Sequence, residues 1–242
     1  MIFNIFKSKP SLKELIPDGF VDIHSHILPG IDDGAKNIEE SIGLINNMKE
    51  MGFTKIIGTP HVYPGLYNNT NETIKKSYEL LTNRINNKTC IDYASEYIID
   101  ESLIYKAREK SLLCIKDNCV LVEMSYLNAP NNLYEILFEL QTNGYKIILA
   151  HPERYRFLHN NFKEYDKLKK IGCMFQINLL SATEYYGKDI IKCLDKLLLK
   201  NYVDFVGSDI HSIKHINLMK NKIKLKSEKQ FKEAIERNLQ FL

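Results

Sequence analysis

Apolar positions along this chain alternate between two patterns. Short runs at 20–24, 55–59, 91–97, 120–124, 146–150, 174–178 and 203–207 are mostly apolar and often β-branched, as strands buried on both faces require. The stretches between them carry helical spacing. Asn37 with Glu40 reads as a capping box, Ile38, Ile42, Ile45 and Met48 form a stripe, and Gly52 stops the helix. The same grammar recurs at 132–143, 162–171 and 188–200, closing at Gly144, Gly172 and Asn201. Strand and helix alternating at this pace predict a parallel sheet in an α/β fold. No G-x-G-x-x-G follows the first run, so seven strands around one mouth predict a closed or nearly closed (β/α) barrel rather than an open dinucleotide-binding sheet.

Composition narrows the picture without supplying chemistry. With 242 residues, 44% of them hydrophobic, and no Gly/Ser/Pro-rich linker, the chain is long enough for one large core, and a single domain is expected. A net charge of +3 from 33 basic and 30 acidic residues, with the lysines dispersed over helical stretches, points away from nucleic acid. The longest apolar runs are strand-sized, so no membrane span is expected. Residues 1–9 lack the length and cleavage pattern of a signal peptide, which predicts a cytoplasmic protein. Ile2, Phe3, Ile5 and Phe6 beside Lys7 and Lys9 read as a flap on the barrel or a loose terminus ahead of a membrane contact. Five cysteines form no CxxC pair, and none has arginine six residues later, which argues against a thiol nucleophile.

The chemistry sits at the ends of the predicted strands. Six of the seven runs lead into His24-Ser25-His26, His61, Glu96, Glu123, His151 or Asp209-Ile210-His211. A parallel barrel aims all its carboxyl ends at one mouth, so these residues converge despite their separation in sequence. Two imidazoles spaced i, i+2 on extended chain face the same side and can grip one cation. A carboxylate on a buried strand needs a compensating cation, which a shared metal supplies. Five of the seven histidines fall at strand ends; His159 and His215 do not. Such a donor set can hold two cations about 3.5 to 4 Å apart, a hydrolytic arrangement. Lacking cysteine, it suits zinc, manganese or iron without choosing among them. Arg154, three residues after His151, is placed to hold phosphoryl oxygens.

Taken together, the string from Asp22 through His24-Ser25-His26 and Asp32-Asp33-Gly34, then Thr59-Pro60-His61, Phe138-Glu139-Leu140-Gln141 through Gly144-Tyr145, His151-Pro152-Glu153-Arg154 and Ser208-Asp209-Ile210-His211, resembles the PHP (polymerase and histidinol phosphatase) superfamily. The resemblance covers residues 20–225, and its branch is that of the bacterial metal-dependent protein tyrosine phosphatases of capsular and exopolysaccharide clusters. It implies a distorted seven-stranded, TIM-like (β/α) barrel over residues 19–242, preceded by an extension at 1–18. It also implies three metal ions. His24, His26, Glu96 and Asp209 would hold one; Glu96 would bridge to a second on Glu123 and His151; His61, His211 and one carboxylate of Asp32-Asp33, with Asp33 preferred, would take a third. The implied substrate is phosphotyrosine on the tail of a tyrosine autokinase that controls polysaccharide export, a partner that would draw the enzyme to the inner face of the membrane. Attack in line by a metal-activated hydroxide, with Arg154 neutralising the equatorial oxygens, is the implied reaction. Another PHP phosphoesterase, such as histidinol phosphatase, is the alternative.

Two departures from that pattern bear on the site. The branch commonly has an asparagine after the DxH and an arginine several residues later, whereas this chain runs His211-Ser212-Ile213-Lys214-His215. Lys214 or His215 is left as the substitute phosphate-binding cation, against the plainer reading of solvated positions. Tyr63-Pro64-Gly65-Leu66-Tyr67, after the second strand, reads equally as an aromatic rim for a phosphotyrosine ring, with Tyr63 as its first member, or as loop packing.

Overall fold

The computed structural model describes residues 8–85 and 90–242. Its strands are β1 (Phe20–Ser25), β2 (Phe53–Gly58), β3 (His61–Val62), β4 (Cys90–Tyr93), β5 (Glu96–Ile98), β6 (Cys119–Glu123), β7 (Lys146–Ala150), β8 (Met174–Asn178) and β9 (Val203–Gly207). Every pairing is parallel, in a three-stranded sheet β1-β2-β4 and a six-stranded sheet β3-β5-β6-β7-β8-β9. The seven predicted runs thus appear as nine strands among the described residues. The run at 91–97 breaks into β4 and β5, and His61, which follows the second predicted run, begins β3. Pro60 explains the break, because it has no N–H to donate and interrupts the β2 ladder just where its neighbour bends at Ala94 and Ser95. Backbone bonds from Ala94 to Gly58 (2.8 Å) and from Glu96 to Pro60 (3.1 Å) carry the two chains across that bend together.

The first and last strands meet through side chains. Asn238 donates to the carbonyls of Val21 (2.8 Å) and Val206 (2.7 Å) and accepts from the Val206 N–H (3.0 Å), while the buried Asp22 carboxylate accepts from the N–H and hydroxyl of Ser208. Beyond the strands, His26 N–H bonds Ile210 O and Asp209 N–H bonds His24 O, so the donors of the two chain ends are fixed side by side.

The helices α1 (Leu12–Leu15), α2 (Ile38–Glu50), α3 (Asn71–Thr82), α4 (Ser102–Arg108), α5 (Leu133–Thr142), α6 (Phe162–Lys170), α7 (Lys188–Leu199), α8 (Ile213–Leu218) and α9 (Glu228–Arg237) surround the strands. Residues of α2 to α7 share the larger apolar cluster with the outward strand positions. A smaller cluster, including Val21, Ile23, Ile57, Leu121, Ile148 and Phe205, contains no α-helical residue and is where the strands face one another. The α2 cap is only half the predicted box. Asn37 accepts from the Glu40 N–H, but the Glu40 carboxylate accepts from Lys36 instead of returning to Asn37. Gly52, with φ +99°, closes that helix in a conformation costly for other residues.

Residues 10–15 of the expected extension pack against the segment after α8. Leu12 is fully buried, and bonds run from Leu12 to Asn221, from Lys13 to Met219 and from Ile223 to Pro10. The apolar residues Ile2 to Phe6 lie outside the described residues. Among the described residues, no helix is long and apolar enough to cross a membrane.

Candidate metal centre

Nine side chains singled out from the sequence converge at the carboxyl ends of the strands. They fall into four overlapping groups whose nitrogen and oxygen atoms lie within 4.8 Å of one another: His26, Asp33, His61 and His211; His24, His151 and Asp209; His24, His26 and Glu96; His61, Glu96 and Glu123. Glu96 is central. Its Oε2 stands 3.2 Å from His24 Nε2, 3.5 Å from His26 Nε2 and 3.1 Å from His61 Nδ1, and its Oε1 stands 3.0 Å from His151 Nε2. Glu96 Oε2 is nevertheless buried without a hydrogen bond of good geometry. A carboxylate oxygen ringed by nitrogens and satisfied by none is what a cation site presents when its donors aim at the ion rather than at one another.

The bracing behind the donors supports that assignment. His24 Nδ1 donates to Gln176 Oε1 (2.7 Å) and His26 Nδ1 donates to Asp32 Oδ2 (2.7 Å). With those nitrogens engaged, the two Nε2 atoms, 3.3 Å apart, are left facing a common point. Asn178 donates to Asp209 Oδ2 (2.6 Å). Asp32 also accepts from the N–H groups of Gly34 and His61, which places it behind the imidazoles. Asp33 faces the cluster, with Oδ1 3.5 Å from His61 Nε2 and 3.4 Å from His211 Nε2. Two donors sit in left-handed backbone, His151 at φ 35° and Asp209 at φ 51°. Such strain is tolerated where the surroundings over-determine the position. Gly207 has no room for a side chain, since an added Cβ would lie 2.6 Å from His24 Cβ and 2.7 Å from Gln176 Nε2.

The electrostatics are those of a site that exchanges protons for cations. Burial pushes the Glu96 and Asp209 carboxyls up, but the surrounding cations together, His24 first, with His61 and His151 at Glu96 and with His211, His26 and Arg154 at Asp209, hold both well below the usual carboxylate range. Burial likewise disfavours a charged His61, yet the Glu96 and Glu123 carboxylates together raise its pKa to about 10. His26 is driven upward by Asp32, whose own pKa falls to about 2 as the His26 charge overcomes burial. Without cations these histidines carry the compensating charge, so loading the site must release protons.

Above the cluster opens a cleft of about 600 Å³. Arg154 donates from Nη1 to Asp209 Oδ2 (3.0 Å), and its guanidinium lies 4.6 Å from the Tyr126 ring and 4.2 Å from the Tyr186 ring. Arg154 does not pair with its neighbour Glu153, which points inward, fully buried, and accepts from the Asn178 N–H and the Ser181 hydroxyl. Tyr63 lines the cleft, but its loop neighbour Tyr67 is the ring stacked on His61, at 5.4 Å and 14°. Lys214 does not line it. Its side chain is exposed, with Nζ 5.9 Å over the Tyr185 ring, whereas His215 does reach the cleft and contacts the Tyr185 hydroxyl at 3.3 Å.

Comparison with known proteins places this arrangement in a lineage. The family model for capsular polysaccharide synthesis, CpsB/CapC, matches residues 20–241. The chain belongs to the CpsB/CapC family. It is 34% identical to CapC of Staphylococcus aureus over 197 residues, 80% of this chain and 77% of that protein. A crystal structure from the pair YwqE of Bacillus subtilis and CpsB of Streptococcus pneumoniae, described as metal-dependent tyrosine phosphatases, matches with a TM-score of 0.75 at 28% identity, over 87% of this chain and 84% of that one. A phosphotriesterase homology protein from Escherichia coli, at 13% identity and a TM-score of 0.50 over 90% of this chain and 92% of that one, shares the fold alone.

For this CpsB/CapC chain, the sequence singled out the side chains that converge and missed those that stand behind them. Gln176 and Asn178 alternate on β8, a strand whose run ends in no donor of its own, and both are buried. Two buried amides two residues apart on an otherwise apolar strand were the available signal. Tyr126 and Tyr186 gave none, since nothing local separates a rim tyrosine from a packed one. The thiols stay apart from this chemistry. Burial raises Cys173 and Cys193 to about 12 and Cys114 to about 11; the Cys90 side chain lies outside the described residues.

Proposed function

We propose that this chain is a metal-dependent tyrosine-protein phosphatase, built on a distorted barrel in which β2 with β3 and β4 with β5 each act as one of seven staves. The observation that carries the reading is the buried Glu96 carboxylate, shared among four imidazoles, in one cluster with Asp209, which holds an arginine that contacts two tyrosine rings. Three ions, of manganese, zinc or iron, fit the donor set. His24, His26, Glu96 and Asp209 would hold one, Glu96, Glu123 and His151 a second, and His61, His211 and Asp33 a third, with His61 also within reach of Glu123 at 3.0 Å. Bound there, the cations supply Lewis acidity and offset charge on the phosphoryl group.

The protein's own groups supply orientation. Arg154, fixed by Asp209 and by the faces of Tyr126 and Tyr186, presents a planar donor fork to the equatorial oxygens where charge gathers. Gln176 and Asp32 hold His24 and His26 in one tautomer, so no reorganisation is needed during turnover. The aromatic wall of Tyr63, Tyr67, Tyr126 and Tyr186 suits a phenyl ring, and a phenolate, whose conjugate acid has a pKa near 10, leaves with less protonation than an alkoxide.

The substrate in this reading is a phosphotyrosine-bearing protein, the tyrosine autokinase of a polysaccharide export system. Its partner would bring the cytoplasmic enzyme to the inner face of the membrane. The test is turnover of a phosphotyrosine peptide, histidinol phosphate and nucleotides by cation-reconstituted protein. Preference for the peptide is expected; preference for either of the others overturns the assignment.

A further inference from the structure

Beside the catalytic cleft lies a second depression, of about 430 Å³, lined by Arg156, His159, Lys192 and Lys196 with one carboxylate, Asp189. The two share a wall. The Tyr186 ring packs on Arg154 at 4.2 Å, while its backbone carbonyl accepts from Arg156 Nη2 at 3.5 Å. Lys188, Lys192, Lys196 and Lys200 repeat every four residues along α7 and its end, and all four are exposed. Because α7 follows β8, it starts at the mouth and runs away from it. The lysine row thus leads outward from the cleft for about 18 Å. Lys192 pairs with Asp189 (3.0 Å) and Lys200 with Asp166 (3.1 Å), but among the described residues no carboxylate lies within 4.0 Å of Arg156 or Lys196. A further hollow beside His159, Lys196 and Lys200 continues the same line.

We propose that this basic groove, from Arg156 along α7, docks an acidic segment of the substrate protein lying within about five residues of its phosphotyrosine. The inference rests on the tyrosine phosphatase reading and deepens it. With the phosphorylated ring in the cleft, chain leaving over Tyr186 meets Arg156 first. An extended peptide rising 3.3–3.6 Å per residue spans the lysine row in about five residues. Among the described residues, three cations without a carboxylate partner, Arg156, Lys188 and Lys196, and two half-satisfied ones, Lys192 and Lys200, complement a short run of Glu or Asp, mainly by speeding encounter.

The test uses two phosphotyrosine peptides, identical but for four glutamates or four serines beside the phosphotyrosine, placed on each side in turn, together with p-nitrophenyl phosphate. The expected result is a KM about three- to ten-fold lower for the acidic peptide on one side, a gap that closes at high salt. In Lys192→Glu/Lys196→Glu the preference should vanish, with p-nitrophenyl phosphate turnover unchanged; Lys192→Gln/Lys196→Gln should fall between. Equal KM values in the native protein, or a preference that survives charge reversal, overturn the proposal. Binding to anionic vesicles that charge reversal abolishes, without peptide preference, would assign the row to a membrane surface and likewise overturn it. Peptide binding followed by fluorescence anisotropy reports docking even if no substrate turns over. In that outcome the phosphatase reading fails while the groove is still judged by its own preference.

Discussion

The floor and the rim of the cleft are built by opposite rules. On the floor, His24, His26, Glu96 and Asp209 are buried, and His24, His26 and Asp209 are each held from behind by Gln176, Asp32 or Asn178. At the rim, Leu66 is 62% exposed, Leu127 85% and Tyr126 45%, and the side chains meet by ring faces more than by directed bonds. Buried donors cannot borrow water, so every one needs a partner and a fixed angle; exposed rings can shift to follow a ligand. Chemistry is thus confined to a rigid floor, and recognition to an adaptable rim.

The sharpest way to break this contrast is to remove the floor. Chelation should abolish aryl phosphatase activity, and Glu96→Gln should cut kcat by about 10³ or more, as loss of several kcal/mol of charge stabilisation requires. Thiol alkylation should leave activity intact; a rate that persists in excess chelator contradicts the metal assignment. Next comes the junction of floor and rim. Arg154→Ala should lower kcat by roughly 10² to 10³, with Arg154→Lys a poor rescue because a point charge cannot replace the planar fork. An unchanged rate would return Arg154 to a structural role.

The bracing should matter less than the donors it holds. Gln176→Leu should weaken cation affinity by about 10- to 100-fold, by titration with metal, while kcat recovers at saturating cation. Failure to recover would mean that Gln176 does more than orient His24. At the rim, Tyr126→Ala should raise KM for phosphotyrosine peptide by about three- to ten-fold and leave metal content unchanged, consistent with cation–π contacts of roughly 0.5–2 kcal/mol. A loss of metal in that variant would erase the distinction between floor and rim.

A pH experiment sharpens the same distinction through stability rather than turnover. The pKa of His61, about 10 in the folded chain against an ordinary 6.5, is raised by Glu96 and Glu123. The stability this contributes to metal-free protein is fully present below about pH 6.5 and is lost as pH rises through 10. Chelated protein should show a falling Tm over that interval. Loaded protein, its imidazoles already deprotonated, should show a flatter one; equal slopes would mean the site does not exchange protons for cations.

Much of this was legible in the chain. His24 and His26 announced themselves by i, i+2 spacing after a buried-type strand, and Gly52, Gly144 and Gly172 marked helix ends at the places where φ is positive. The break at Pro60 was legible too, but its consequence was not. That a missing donor just after β2 would divide the paired run at 91–97 depends on register with a distant segment. Asp32 and Asp33 were inseparable by type and spacing. Only the fold turns one behind His26 and the other toward His61 and His211.

By itself, then, the sequence determined which side chains could bind cations, and that strands and helices would alternate, because donor type and apolar period are local properties. Tertiary structure alone decided which donor faces which, that Gln176 and Asn178 stand behind them, and that Tyr126 and Tyr186 close on Arg154. Those are relations between segments as far as 185 positions apart, as from His26 to His211, and no local pattern encodes the angle at which remote side chains meet.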